Sequence, residues 1–359
     1  MKVCIIGDGL VSLTLANVLI QKKINVEILS SKKKNSYDKS RTLGISESNV
    51  KYFNDQIINI RKILWEIEKI KIFTEKNKNE EILQFSENKK QLFSIIKNYK
   101  LQSLLKDKLK INKLVKFKDC LGYADIVKQE YKLIINCDPK HEITKKFFTN
   151  KMEKNYNSYA YTTTLKHKKV IDNCTAFQNF TNNGPIAFLP ISNTQTSVVY
   201  SFKSSLKNNF VIKSLIKKFN PIYVITKIDD YNSFELKASS LRKYYKDNIL
   251  AFGDLLHKIH PLAGQGFNMS LRDIKLLSEI IDKRLNLGLD LDSSICKEFQ
   301  KNSKDKNYLF STSIDWIYEL FNVERMLNSD LFYKSINMIG KNKIINSLFK
   351  KIADNGIRI

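Results

Sequence analysis

The first thirty residues constrain the fold most. Residues 3–6, VCII, form a short β-branched apolar run of the kind that makes a buried strand. GDG follows at 7–9, and LTLANVLIQKK then places Leu13, Ala16, Leu19 and Ile20 at helical spacing. INVEILS predicts a second strand with Val26 and Ile28 on one face. Strand, glycine turn, helix and strand in this order open a dinucleotide-binding fold. Gly7 permits the tight turn and Gly9 lets the backbone approach a pyrophosphate. The free N–H groups of the helix start then favour that anion. The third small position of the fingerprint is Ser12. The ribose-holding position about 20 residues further on falls near Ser30, where a serine hydroxyl stands in for the usual carboxylate, and Glu27 comes too early for it.

A second glycine site lies far along the chain. The sequence holds 11 Gly and 5 Pro, yet Gly253, Pro261, Gly264 and Gly266 all fall within GDLLHKIHPLAGQGFNMSLRD, residues 253–273. The apolar strand NILAFGD, 248–254, leads into it, and Leu271, Ile274, Leu277, Ile281 and Leu285 mark an amphipathic helix after it. Asp254 stands at the carboxyl end of that strand, where ligands bind in such sheets. Its carboxylate can accept hydrogen bonds from ribose or ribityl hydroxyls. Gly264 and Gly266 let the backbone come close to a flat ring or a phosphate, and the helix dipole favours negative charge there. Two distant glycine turns holding the two ends of one ligand point to a long molecule such as FAD.

The stretch FSIIKNYKLQSLLKDKL, 93–109, predicts a helix, and KLIINCDP, 132–139, predicts a strand. YAYTTTL, GPIAFLPIS and VVYSF make the region 150–240 rich in β signals. DWIYELFNVERML and the residues after it predict C-terminal helices. The expected fold class is therefore α/β, in the α+β sense. A Rossmann-like FAD-binding domain is drawn from 1–60, 96–150 and 240–310. A β-sheet substrate domain is inserted from 61–95 and 151–239, and a C-terminal helical segment covers 311–359.

Charge narrows the function classes. The net charge is +25, but only 7 of the 61 basic residues are Arg, and the lysines are dispersed. Without a nucleic-acid motif, solvated lysine faces are expected and nucleic-acid binding is not. A basic surface drawn to an anionic membrane fits the same composition. The five cysteines show no CxxC and no His at ligand spacing, so neither a metal site nor a disulfide framework is expected. His257 and His260 lack an acidic or Cys partner at metal-ligand spacing, and His260, next to Pro261, reads as structural or as a minor flavin contact. No run of about 18 apolar residues and no signal-peptide pattern is visible, so a cytoplasmic protein is expected.

The 253–273 stretch closely resembles the second flavin motif of the para-hydroxybenzoate-hydroxylase-like class A flavoprotein monooxygenases. HPLAGQGFN with LRD resembles, within that class, the FAD-dependent hydroxylases of ubiquinone biosynthesis. SRTLGIS, FQNFTNNGPIAFLPI and SIDWIYELF are similar to other segments of the same subfamily. The resemblance implies FAD as cofactor, with NAD(P)H or another donor as reductant. It implies that Gly7 and Gly9 hold the pyrophosphate beside Ser12 and Ser30, and that Arg41 contacts the flavin. Asp254 would hold the ribityl and pyrophosphate region. Pro261, Gly264, Gln265, Gly266 and Asn268 would lie along the isoalloxazine ring, with Pro261 and Gly264 nearest the chemistry. Phe188 and Pro190 would line the substrate.

The implied reaction is hydroxylation of a polyprenylated phenol by O2, through a flavin C4a-hydroperoxide, with no side-chain acid, base or metal. The implied partners are the quinone precursor, O2, other ubiquinone-biosynthesis proteins and a membrane surface, with peripheral attachment on the inner face of the cell membrane. Pro139 stands where the family has the Gly of an Asp-Gly pair. With Ser12 and Ser30, it gives a second reading, a catalytically degraded paralogue serving as a non-catalytic component of a biosynthetic complex.

Overall fold

The computed structural model describes residues 1–30, 39–75, 81–86, 91–202, 209–260 and 264–327. From the N-terminus, β1 (Lys2–Ile6), α1 (Leu10–Gln21) and β2 (Asn25–Ser30) form the expected βαβ unit. Ser12 to Ile20 of α1 are all buried, because the helix packs against α3, α7 and the sheet. β3 (Thr42–Ser46), α2 (Glu47–Gln56), β4 (Leu64–Ile67), β5 (Lys69–Thr74), β6 (Leu83–Ser86) and β7 (Phe93–Lys97) follow. The chain then returns to the first unit with α3 (Asn98–Lys110), β8 (Val115–Asp119), α4 (Tyr123–Val127), β9 (Leu133–Asn136) and α5 (Glu142–Phe147). β10 (Lys151–His167), β11 (Thr175–Thr181), β12 (Gly184–Ser192), β13 (Gln195–Phe202), α6 (Asn209–Lys218), β14 (Ile225–Ile228) and β15 (Asn232–Leu241) build the sheet-rich middle. β16 (Tyr245–Lys246), β17 (Ile249–Ala251), β18 (His257–Lys258), α7 (Gly266–Asn286) and α8 (Ser293–Leu327) complete the described chain.

Three sheets result. The first has the order β16-β17-β9-β1-β2-β8, parallel except at β16. Its inner strands are buried on both faces, as a sheet covered by helices on either side requires. Ile6 and Ala251 both pair with Asn136, so β1, β9 and β17 end side by side. Their carboxyl ends make the crevice where ligands bind in open α/β sheets.

The second sheet runs β18-β15-β10-β13-β12-β11-β5-β6, with β14 added on β10. α6 covers one face, where Ile212 and Ile216 pack on Tyr161, Leu165, Ile186, Val198 and Tyr200. The third sheet, β3-β7-β4, lies against the other face, where Ile67 and Ile95 meet Ala176, Leu189 and Ile191.

Three details differ from the sequence expectation. Phe93–Lys97 is a strand, and the helix begins at Asn98. A short apolar run looks the same in a buried strand and a buried helix, and here FSIIK pairs with β3 on one side and β4 on the other. β4 and β7, grouped with the substrate domain by sequence, share a sheet with β3, grouped with the FAD domain. Finally, α8 is one helix of 35 residues running straight through the boundary drawn at 310/311.

Candidate cofactor site

The site starts at the turn after β1. Gly7 has φ +101° and its N–H donates to Leu29 O at 2.7 Å. A Cβ there would stand 3.6 Å from both Asp138 Cβ and Ser12 Oγ, so the turn is closed tightly by β9 and α1. Gly9 is the N-cap of α1, without a side-chain cap and without an acid in the first turn. That leaves the helix N–H groups and their partial positive charge to a ligand. Asp8, between the two glycines, is paired to Lys106 at 3.0 Å, and Gln102 donates to its carbonyl. Lys106 thereby offsets a carboxylate beside an anion site. Sequence reading missed this pair, because nothing local signals a partner 98 residues away.

β9 ends in Cys137 and Asp138. Asp138 N–H donates to Asn136 Oδ1, Lys140 N–H donates to Asp138 Oδ1 at 2.8 Å, and Thr144 Oγ1 donates to Asp138 O. Pro139 sits inside this side-chain-closed turn, where its missing N–H is not needed. Burial, with the charges of Asp254 and Asp138 adding to it against a hydrogen bond from Ser12, pushes the Cys137 thiol up to about 12. Ser12, Cys137, Asp138 and Asp254 thus share one small volume at the strand ends. Asp254 lies exposed in a single 3-10 turn, and the preceding Gly253 packs on Val11 at the start of α1.

The second glycine turn meets β3. Gly264 has φ +60°, and a Cβ on it would stand 3.4 Å from Gly44 N. Gln265 is the N-cap of α7, again without a side-chain cap or a first-turn acid. Its buried Oε1 has no hydrogen-bond partner among the described residues. Gly266 begins the helix.

Asn268, expected along the ring, is committed elsewhere. Its Oδ1 accepts from Ser46 N at 3.1 Å and Asn49 Nδ2 at 3.0 Å, and its Nδ2 donates to Gly44 O at 3.0 Å. It pins α7 to β3 rather than facing a ligand. Pro261 lies outside the described residues.

The remaining expected residues scatter. Ser30 ends β2, its carbonyl accepting from Cys120 N, in register with Asp119 of β8. Glu27 points away, bonded to Tyr131 Oη at 2.5 Å, Lys118 at 2.9 Å and Lys2 at 3.2 Å. Arg41 is exposed at the junction with the second sheet, its guanidinium 5.6 Å from the Phe234 ring centroid.

Phe188 and Pro190 are corrected by the pleat. Phe188 is fully buried on the α6 face, its ring centroid 6.4 Å from that of Tyr223, and Pro190, two residues on, shares that face. Alternation sends Ala187 and Leu189 to the opposite face, toward the third sheet and β3. There Thr42 and Ser197 hydroxyls share a hydrogen bond of 2.9 Å, and Ser40 and Thr162 one of 3.0 Å. His260 is buried, and burial followed by the Lys154 charge holds its pKa down to about 4, so it is neutral. Among the described residues no group of three or more His, Cys, Asp or Glu could hold a metal.

FAD fits these residues. Two helix N-termini lack side-chain caps, each follows a positive-φ glycine, and buried Gln265 Oε1 has no partner among the described residues. Residues 132–287 match the family described as FAD binding domain. That match takes in β9, the turn 253–255 and the glycine turn before α7.

Among curated proteins the chain is 27% identical over 267 residues to the mitochondrial ubiquinone biosynthesis monooxygenase COQ6 of Dictyostelium discoideum, covering 60% of this chain and 53% of that protein. It is 26% identical over 175 residues to the ubiquinone hydroxylase UbiL of Rhodospirillum rubrum, covering 46% and 41%. It spans about half the length of the curated relatives it matches.

Solved structures share the whole fold. p-Nitrophenol 4-monooxygenase PnpA from Pseudomonas putida gives a TM-score of 0.78 at 13% identity, covering 99% of this chain and 98% of that one. Klebsiella pneumoniae HpxO, complexed with FAD and uric acid, gives 0.76 at 14%, covering 99% and 97%.

Proposed function

We propose that the chain is an FAD-dependent monooxygenase hydroxylating the ring of a polyprenylated phenol in ubiquinone biosynthesis. One observation carries the reading. The turn 253–255 packs on Val11 of α1 and against α7, and so links the two glycine-led, uncapped helix starts, which lie over 240 residues apart in sequence. In this reading Gly7, Gly9 and α1 bind the pyrophosphate, and Asp254 accepts from ribityl hydroxyls. Gly264, Gln265 and the start of α7 hold the ring.

Bound FAD would supply the oxygen chemistry, with NAD(P)H or another donor as reductant. The chain's own part is to bind, orient and exclude water. The α7 N-terminus stabilises negative charge brought to its end of the crevice. Ala187, Val199 and Thr162 offer an uncharged wall on the sheet face opposite α6, beside Leu189, which packs on the third sheet. Residues of α8 and the lysine-rich surface would meet the membrane that holds such a substrate. Among the described residues no helix is long and apolar enough to cross one.

The test is direct. The purified protein should be yellow, release about one FAD per chain, and consume O2 faster when a prenylated phenol is added with NADPH or NADH. A protein that stays colourless with added FAD would leave the non-catalytic reading in its place. The replaced adenine-half positions, Ser12, Ser30 and Pro139, motivate that reading.

A further inference from the structure

We propose that Lys275 is a positioning residue for the start of α7, acting through Asn49 and Asn268. This rests on the reading in which the start of α7 holds the flavin ring. Lys275 and Asn268 stand seven residues apart on α7, about two turns of helix, so they share a face. Asn49 and Tyr52 stand three apart on α2 and share the face that meets it. Lys275 Nζ donates to Asn49 Oδ1 at 2.7 Å and lies 4.8 Å from the Tyr52 ring centroid. Asn49 Nδ2 donates to Asn268 Oδ1 at 3.0 Å. Asn268 ends the relay on β3, its Oδ1 also accepting from Ser46 N–H and its Nδ2 donating to Gly44 O.

Donor and acceptor chemistry leaves this relay one direction. The edge of β3 offers it one N–H and one C=O, which fixes the Asn268 amide. Asn49 then turns Nδ2 toward Asn268 Oδ1 and its own Oδ1 the other way. That outward oxygen needs a donor, and an ammonium can only donate. Asn49 is 1% exposed and Asn268 2%, so Lys275 rather than bulk water meets that oxygen. A hydrogen bond from a charged donor is also stronger than a neutral one. The start of α7 is placed by the same contacts. Asn268 is the third residue of the helix, and a Cβ on Gly264, just before it, would stand 3.4 Å from Gly44 N. Phe267 packs on Phe53 of α2 beside the relay, with ring centroids 6.1 Å apart. Without the ammonium, Asn49 Oδ1 finds a new partner only if Asn49 turns away from Asn268. The spacing between β3 and the first turn of α7 is then no longer fixed. Lys275 thus acts on the ring through that spacing and touches no ligand itself.

The experiment measures FAD dissociation constants by flavin fluorescence quenching, the absorption band of the bound flavin, and apoprotein melting temperatures, for the full chain and its variants. Lys275→Met, which keeps the length and loses the donor, should weaken FAD binding about tenfold and change the shape of the bound-flavin band. Asn49→Leu should weaken binding by a similar factor. The double variant Lys275→Met/Asn49→Leu should be no weaker than Asn49→Leu alone, because both break one relay. Lys22→Met is the control. Lys22 lines the same cavity between α1, α2 and α7 as Lys275 does, but its partner is Asp282, so affinity should stay within about twofold. A purely structural lysine would lower the apoprotein melting temperature while leaving affinity and band as in the wild type. That result overturns the proposal and leaves the flavin reading standing. Additive losses in the double variant, or an equal loss in Lys22→Met, overturn it too. A wild-type chain that binds no FAD overturns the flavin reading itself, and the proposal with it.

Discussion

Asn268 shows how much of this site is built by side chains that touch no ligand. Its amide satisfies Ser46 N–H, Asn49 Nδ2 and Gly44 O at once, all in a buried setting. Asn268→Ala strands those groups, and each buried polar group left unpaired costs about 1–3 kcal/mol. A loss of roughly 2–4 kcal/mol in urea unfolding is expected, together with weaker FAD binding as β3 moves from under Gly264. Asn268→Asp should be no milder, since it turns an acceptor toward Gly44 O. A change within about 0.5 kcal/mol for the alanine variant would sink this account. Gly7→Ala is a different case. Its Cβ would meet only ordinary contacts at 3.6 Å, but φ +101° costs a non-glycine residue on the order of 1–2 kcal/mol. Residue types gave the glycine positions away, because only glycine has this freedom. They could not reveal the direction of an asparagine amide, since that depends on β3 being brought across by tertiary packing.

At the scale of elements, alternation decides what β12 does. Phe188 belongs to the core under α6, so Phe188→Ala should cost about 3–5 kcal/mol of stability. Ala187, on the opposite face but outside the inter-sheet cluster, is the position where a charge should raise the KM for an apolar ring while changing stability less. Steady-state kinetics and denaturant unfolding on the pair Phe188→Ala and Ala187→Lys separate these roles. Equal losses of stability in both would refute the assignment of faces.

The β2–β8 edge carries a pH dependence. Burial would raise the Glu27 pKa, but the Tyr131, Lys118 and Lys2 hydrogen bonds outweigh it and hold the carboxyl below its ordinary 4.5. A folded-state pKa below the unfolded one gives stability that is complete above about pH 4.5 and is lost as pH falls through the folded value. Glu27→Gln should therefore destabilise by roughly 1–2 kcal/mol at pH 7. The gap to wild type should close on titration below pH 4.5. A gap that stays constant to pH 3 would show that the carboxylate charge is not what matters. The apolar runs of β1, β9 and β17 and the period of α7 were legible in the sequence, because a buried parallel strand or an amphipathic helix repeats locally. β7 was not, since its partners β3 and β4 come from segments tens of residues away and its run is too short to choose a period.

For the molecule as a whole, the FAD-binding sheet takes strands from both ends of the described chain, and the substrate sheet is inserted between them. The third sheet, β3-β7-β4, and the loop before it are joined to the substrate sheet by contacts that neither could make alone. Thr42 bonds Ser197, Ser40 bonds Thr162, and Lys97 Nζ donates to Gln195 Oε1 at 2.9 Å. The Trp65 indole donates to Asn173 O at 2.8 Å. β3 and β7 supply Thr42 and Lys97, and β3 also carries the Gly44 and Ser46 backbone that Gly264 and Asn268 contact. A ligand bound between β3 and α7 should therefore stabilise both sheets, and unfolding one should unfold the other. FAD at about 100 times its dissociation constant adds roughly 2.7 kcal/mol to the folded state. For a chain of this size that raises Tm by several degrees, about 2–4 °C per kcal/mol or somewhat less. Far-UV dichroism should report the whole fold, and released-flavin fluorescence the site, and their melting curves should coincide in the holoprotein. In Thr42→Val/Lys97→Met, with the junction weakened, the flavin signal should melt first. Separate transitions in the wild-type protein would show instead that the two sheets are independent units and that the junction only aligns them.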